Sequence, residues 1–134
     1  MPDTLEGPAL DLLKAPNYAT FSTLRKDGTI QSVVVWADAD DQGRVVLNSA
    51  EGRAWPANLR RTGHATVTVL NRENPMEFVA VTGDLAVDTT EDGVDVINQL
   101  SNKYIGSDYP WLQDGETRVT FRLTPKKVTY VKQG

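Results

Sequence analysis

The chain has no cysteine. That excludes disulfides, thiolate nucleophiles and cysteine-ligated metals, and it accords with a reducing cytoplasm as the expected location. It has one histidine, His64. No carboxylate or hydroxyl partner stands at an evident spacing from it, so no histidine-centred acid–base site is expected. No apolar run approaches the roughly 20 residues of a membrane span. Met1 to Glu6 is acidic and has no hydrophobic run, so it does not read as a signal peptide. A positive excess is also missing: 14 Lys and Arg stand against 18 Asp and Glu, a net charge of -4. A broad nucleic-acid-binding face is therefore not expected. There is no internal repeat and no low-complexity segment. What remains is 134 residues, 40% of them hydrophobic, enough for one domain with a real core.

The elements follow from period and punctuation. Leu5, Ala9, Leu12 and Leu13 give a short amphipathic helix over Leu5 to Ala15, closed by Pro16. Tyr18 to Arg25 is rich in β-formers, Lys26-Asp27-Gly28 is a tight turn, and Ile30 to Ala37 returns as a second strand. Asp38 to Gly43 is an acidic loop. Its Asp38, Asp40 and Asp41 fit no EF-hand spacing and read as a solvated loop, so no metal is expected. Arg44 to Asn48 is a third strand, and the three strands read as a meander. A helix runs from about Arg53 to Thr62, with Pro56 in its first turn and Gly63 as its C-cap. His64 to Leu70 is a fourth strand. Met76 to Asp88 is a long fifth strand with a bulge or corner at Gly83. Thr89 to Asp92 opens a third helix with Val94, Ile97, Leu100 and Tyr104 as its apolar face. An aromatic loop carries Tyr109-Pro110-Trp111. Thr117 to Leu123 alternates as a half-exposed strand, Thr124-Pro125 bends it, and Val128 to Val131 finishes. The pattern predicts a mainly β protein: an antiparallel barrel of six or seven strands, closed or partly closed, with about three short helices.

Asn48 to Arg61 is the stretch with a chemical signal. It runs strand, polar turn, short helix, and carries three arginines against one glutamate in an acidic chain. The first N–H groups of a helix lack intrahelical partners, and its dipole adds to their pull on an anion. The segment reads as a phosphate-binding corner for a cofactor.

An ordered set of residues carries a family resemblance. It comprises Asp27-Gly28, Gln31, Val35-Trp36, Ala50-Glu51-Gly52-Arg53, Asn58-Leu59-Arg60-Arg61, Lys103-Tyr104-Ile105-Gly106 and Asp108-Tyr109-Pro110. With these the chain resembles the split β-barrel, FMN-binding-like family related to pyridoxamine 5'-phosphate oxidase. More narrowly, it is similar to the actinobacterial branch of deazaflavin (coenzyme F-420) dependent reductases. The resemblance implies a homodimer with the cofactor in a groove between subunits. It implies hydride transfer from the reduced deazaflavin to a small conjugated or aromatic acceptor. The cofactor supplies that chemistry, which explains why no catalytic acid–base residue is evident. Arg53 falls on the family's phosphate-binding arginine. Asn48 and Ser49 fall where the third strand meets the cofactor ring or its linker. Gln31, Val33 and Val34 belong to a second cofactor-facing segment, and Phe78 falls near a position that contacts the ring.

The sequence departs from the family at the phosphate corner. Lysine is usual two residues after Arg53, and arginine is frequent two residues before Leu59. Here Trp55 and Ala57 stand there, with Pro56 between them, and an indole does not replace a charge-assisted donor. Trp55 and Pro56 are carried with the segment as cofactor contacts, although Trp55 also suits core or dimer-interface packing. Arg60, Arg61 or Lys26 is left to supply the missing charge. Two alternatives stay open: an FMN-dependent oxidoreductase of the same fold, and a non-enzymatic carrier of a flavin-like or tetrapyrrole ligand. Tyr104, Tyr109 and Trp111 either line an acceptor pocket or pin the third helix to the barrel.

Overall fold

The computed structural model describes residues 1–133. In chain order the elements are α1 (Gly7–Lys14), β1 (Ala19–Leu24), β2 (Ile30–Val35), β3 (Asp38–Ala39) and β4 (Val45–Ala50). There follow α2 (Ala54–Thr62), β5 (His64–Asn71), β6 (Asn74–Thr89), α3 (Gly93–Ile105) and β7 (Arg118–Lys132). The strands form one antiparallel sheet in the order β2-β1-β5-β6-β7-β4-β3. Seven strands and three short helices make a split barrel, the expected architecture.

The Asp27-Gly28 turn closes the β1–β2 hairpin. Gly28 has φ of 91°, and Asp27 Oδ1 accepts from the Thr29 amide at 3.0 Å and the Thr29 hydroxyl at 2.6 Å. The third strand does not continue this hairpin as a meander. β4 pairs with β7 on one side and β3 on the other, while β2 pairs with β1. The reason is burial. Five of the six residues of β4 are buried, so it needs cover on both faces, and a place beside β7 with α3 packed over it provides that. The two-residue strand β3 lies inside the stretch read as a loop.

The long strands bend where the sequence has glycine. Register shifts between Thr82 and Gly83. A Cβ at Gly83 would sit 2.9 Å from the Thr124 carbonyl oxygen, so only glycine fits. Pro125, its partner across the ladder, has no N–H to give. The bulge absorbs both exceptions, and β7 runs on as one strand rather than two.

The barrel interior is apolar, aliphatic side chains packing around a few aromatic rings. Phe21, Leu47, Leu59, Val67, Phe121 and Leu123 are fully buried. A smaller second cluster, Val46, Val96, Ile97 and Leu100, lies under α3 against Trp36, Tyr104 and Tyr109. The buried stripe of α3 is Gly93, Val96, Ile97, Leu100 and Ser101; Val94, expected on this face, is 44% exposed. The helix begins at Gly93 rather than Thr89; Asp92 holds the N-cap position without a side-chain cap, its Oδ2 accepting from Arg122 Nη2 at 2.7 Å. Arg118 to Phe121 are all buried. The half-exposed strand expected there is covered by α3 on its outer face.

Candidate functional site

A cleft of about 380 Å³ opens between the end of β2, the start of α2, α3 and the loop after it. Its walls are Tyr18, Val34, Val35 and Trp36 on one side and Ile97, Leu100, Tyr109 and Trp111 on another. Asn48, Arg53, Trp55 and Arg118 complete it. The lining is mostly apolar, with two cations and no carboxylate. That suits a flat ligand bearing negative charge.

Arg53 is the N-cap of α2, in extended conformation, with no side-chain cap. Gly52 ahead of it has φ of 92°, which turns the chain from β4 into the helix. The side chain is exposed, and no carboxylate lies within ion-pair distance among the described residues. The amides of Arg53, Ala54 and Trp55 open the helix without intrahelical acceptors. Pro56, third in the helix, removes one donor from this set. A free guanidinium beside a helix N-terminus is a site for an anion.

Arg118 is built differently. It is 4% exposed. Its Nε donates to Asn48 Oδ1 at 3.0 Å and its Nη1 to Glu116 Oε2 at 3.3 Å. Its guanidinium lies 5.1 Å over the Tyr109 ring. Asn48 is tied in turn, its Nδ2 donating to the Gly93 carbonyl at 2.8 Å and reaching Thr120 Oγ1 at 3.3 Å. Gly93 must be glycine, since a Cβ there would lie 2.0 Å from the Arg118 carbonyl oxygen.

The aromatic wall is a continuous ladder. Tyr18 stacks on Tyr104 at 5.6 Å, Tyr104 on Trp36 at 5.4 Å, and Trp36 meets Tyr109 edge-on at 6.3 Å. Tyr109 meets Trp111 edge-on at 5.6 Å. This divides the three residues of the open question. Tyr109 and Trp111 line the cleft, whereas Tyr104 fastens α3 to the barrel. Its hydroxyl donates to the Asn17 carbonyl at 2.6 Å and accepts from the Ala37 amide at 3.1 Å. Burial pushes its pKa up to about 12, so it stays a neutral donor. The adjacent Lys103 donates to the carbonyls of Leu13 and Ala37, both at 2.5 Å, with Asp38 3.7 Å away. Burial pulls its pKa down to about 8.

Of the residues singled out from the sequence, Val34, Asn48, Arg53 and Trp55 meet at the cleft. Trp55 is also part of the main core, 4.9 Å from Phe21 and 5.3 Å from Phe121 between ring centres. The other six lie outside the cleft lining. Gln31 accepts from Asn58 Nδ2 at 3.0 Å. Val33 packs on the core, Ser49 is buried within β4 and Pro56 within α2. Phe78 sits on β6 opposite Leu70 and Val131. Arg60 is clamped, donating to Asp88 at 2.7 Å and Glu51 at 2.7 Å, over the Phe121 ring. Those hydrogen bonds push its pKa above the ordinary arginine value. Arg61 is held by Asn58 and the Leu24 carbonyl.

Of the acids read as a solvated loop, Asp41 is exposed, whereas Asp38 and Asp40 are engaged. Asp40 pairs with Arg44 at 2.8 Å and lies 3.8 Å from Arg122, and Asp38 lies beside Lys103. Sequence reasoning missed Arg118. In strict alternation it looked like one of several solvent-facing polar residues, and only the cover of α3 gives it a buried place.

Solved structures of similar shape are numerous. An F-420 reductase superposes with a TM-score of 0.82 at 21% identity, covering 92% of this chain and 98% of that one. A conserved hypothetical protein from Mycobacterium tuberculosis gives 0.75 at 18% identity, covering 97% and 87%. General Stress Protein 26 from Bacillus anthracis gives 0.68 at 10%, covering 90% and 88%. At these identities the likeness is one of fold. No curated protein matches the chain by sequence. The model of one family, described as pyridoxamine 5'-phosphate oxidase, matches residues 5–132. With a seven-stranded split barrel and a family match spanning nearly its whole length, the chain belongs to the pyridoxamine 5'-phosphate oxidase family.

Proposed function

We propose that the protein is a reductase that binds the deazaflavin coenzyme F-420 in the cleft and passes its hydride to a small conjugated or aromatic acceptor. The observation that carries this reading is Arg53. It is a guanidinium without a carboxylate partner among the described residues, set at the start of α2 and at the edge of an aromatic cleft. A cofactor phosphate fits that corner: Arg53 supplies charge-assisted donors and the first amides of α2 add theirs. The apolar lining of the cleft accepts flat ring systems and excludes water from them. When bound, the deazaflavin supplies the hydride chemistry, and the protein's part is to hold ring and acceptor face to face. The likeness in fold to an F-420 reductase supports this choice.

The missing lysine has a physical counterpart. Trp55 points its ring into the core between Phe21 and Phe121, so position 55 serves packing rather than charge. Arg60 and Arg61 are already engaged, which leaves Arg53 as the phosphate ligand on this segment. The partner is a second copy of the chain, in the cytoplasm. The outer face of the β1–β2 hairpin leaves Tyr18 51%, Leu24 43%, Ile30 67% and Val34 71% exposed, an apolar strip that a dimer covers.

The test is a fluorescence titration with oxidised coenzyme F-420 and, in parallel, FMN, with light scattering on the same sample. Saturable micromolar binding of the deazaflavin by a dimer supports the proposal. Tight FMN binding instead transfers the site to a flavin enzyme. Binding of neither, or a monomer, removes the reading.

A further inference from the structure

The cleft holds a second cation that a phosphate at Arg53 leaves unused. Arg118 is locked by Asn48 at Nε, by Glu116 at Nη1 and by the Tyr109 ring below it. Its Nη2 has no hydrogen-bond acceptor among the described residues. Nor is it among the fully buried polar atoms that lack a partner. Arg118 is one of the residues that line the cleft. A guanidinium stays charged, and its donors are fixed in one plane. Arg118 thus brings a fixed guanidinium with one unengaged nitrogen to a cleft that Trp36, Tyr109 and Trp111 also line.

The charge around it selects among anions. Glu116 sits 3.3 Å from Nη1 and offsets part of the positive charge, so a group with a single negative charge, such as a carboxylate, matches the site. Arg53, exposed and with no carboxylate partner among the described residues, stays free for the cofactor's phosphate. The neighbouring rings, Trp36 with Tyr109 at 6.3 Å and Tyr109 with Trp111 at 5.6 Å, give the cleft aromatic surface against which a flat ring can pack. We propose that Arg118 anchors the carboxylate of the acceptor, and that the acceptor is a flat aromatic or conjugated acid. Arg118 is thus a specificity-determining residue. This rests on the proposed reductase function and deepens it by naming the acceptor class.

The test is calorimetric titration of the purified protein with naphthalene carboxylate and with its neutral carboxamide. The acid is expected to bind about tenfold or more tightly, the factor carried by a hydrogen bond to a charged group. An Arg118→Gln, Glu116→Gln double variant, which leaves no buried charge behind, is expected to bind both probes equally. Arg118→Lys keeps the charge and is expected to keep a weakened preference. Equal affinities in the wild type, binding of neither probe, or a preference that survives the double variant overturns the proposal. The wild-type comparison stands even if the double variant does not fold. Titration of the same preparations with oxidised coenzyme F-420 separates the two readings. Loss of acid preference with coenzyme binding intact removes only the anchor. Absence of coenzyme binding in the wild type removes the reductase reading.

Discussion

The barrel interior and the α3 wall of the cleft hold together by different means. The interior is made of Phe21, Leu47, Val67, Val79, Phe121 and Leu123, all fully buried, and its cohesion is apolar area removed from water. The α3 wall has a small aliphatic cluster and is stitched by polar groups. Tyr104 reaches Asn17 and Ala37, Lys103 reaches Leu13 and Ala37, and Arg118 reaches Asn48. The interior is held mainly by non-directional apolar contact. The wall fixes direction residue by residue, and direction is what a binding site requires.

Truncating the interior is expected to have the largest effect on stability. Leu123→Ala removes a side chain with no exposure and is expected to cost about 2–5 kcal/mol in a urea unfolding series. Ligand binding by the folded fraction is expected to stay unchanged. Altered affinity in that variant would show that the two regions are not separable.

Gly93→Ala attacks the joint between them. Its Cβ would meet the Arg118 backbone at 2.0 Å, and backbone there has nowhere to go, so about 1–3 kcal/mol or more is expected to be lost. Because the Gly93 carbonyl holds Asn48 and Asn48 holds Arg118, binding of an aromatic acid is expected to weaken as well. A variant that loses stability but keeps that binding would break the chain from Gly93 to Arg118.

The smallest effect is a pH dependence at Lys103. Burial pulls its pKa from 10.5 down to about 8. Between those values the unfolded chain binds more protons than the folded one, so this group makes stability rise with pH across the window. Below about pH 8 the cost of burying the charge is fully present. Unfolding midpoints of the wild type and Lys103→Met, measured from pH 7.5 to 10.5, are expected to diverge in the wild type's favour as pH rises. Parallel profiles would mean that the ammonium is not desolvated.

The same contrast explains what the sequence made legible. Local signals were enough for the Asp27-Gly28 hairpin, the Gly63 cap and the Gly83 bulge, because each is decided within a few residues. Alternation revealed the strands that carry the interior. It did not reveal that β4 leaves the meander for β7, since that choice depends on which faces α3 covers. The wall was the hardest part to read. Asn48 meets Gly93 across 45 positions and Lys103 meets Leu13 across 90, distances at which spacing carries no information. The place of Arg53 at the start of α2 was legible because the turn and the helix start are local signals. Arg118 was not, because a buried arginine and an exposed one alternate alike.

The most direct measurement is the affinity of oxidised coenzyme F-420 for the wild type and for Arg53→Ala, by fluorescence titration. Arg53 is exposed and without a carboxylate partner among the described residues, so its removal is expected to leave the unfolding midpoint in place. It is expected to weaken binding by about 1.5–3 kcal/mol, the range for a hydrogen bond to a charged group. Equal affinity in the two proteins would contradict the central claim that this corner holds the cofactor's phosphate.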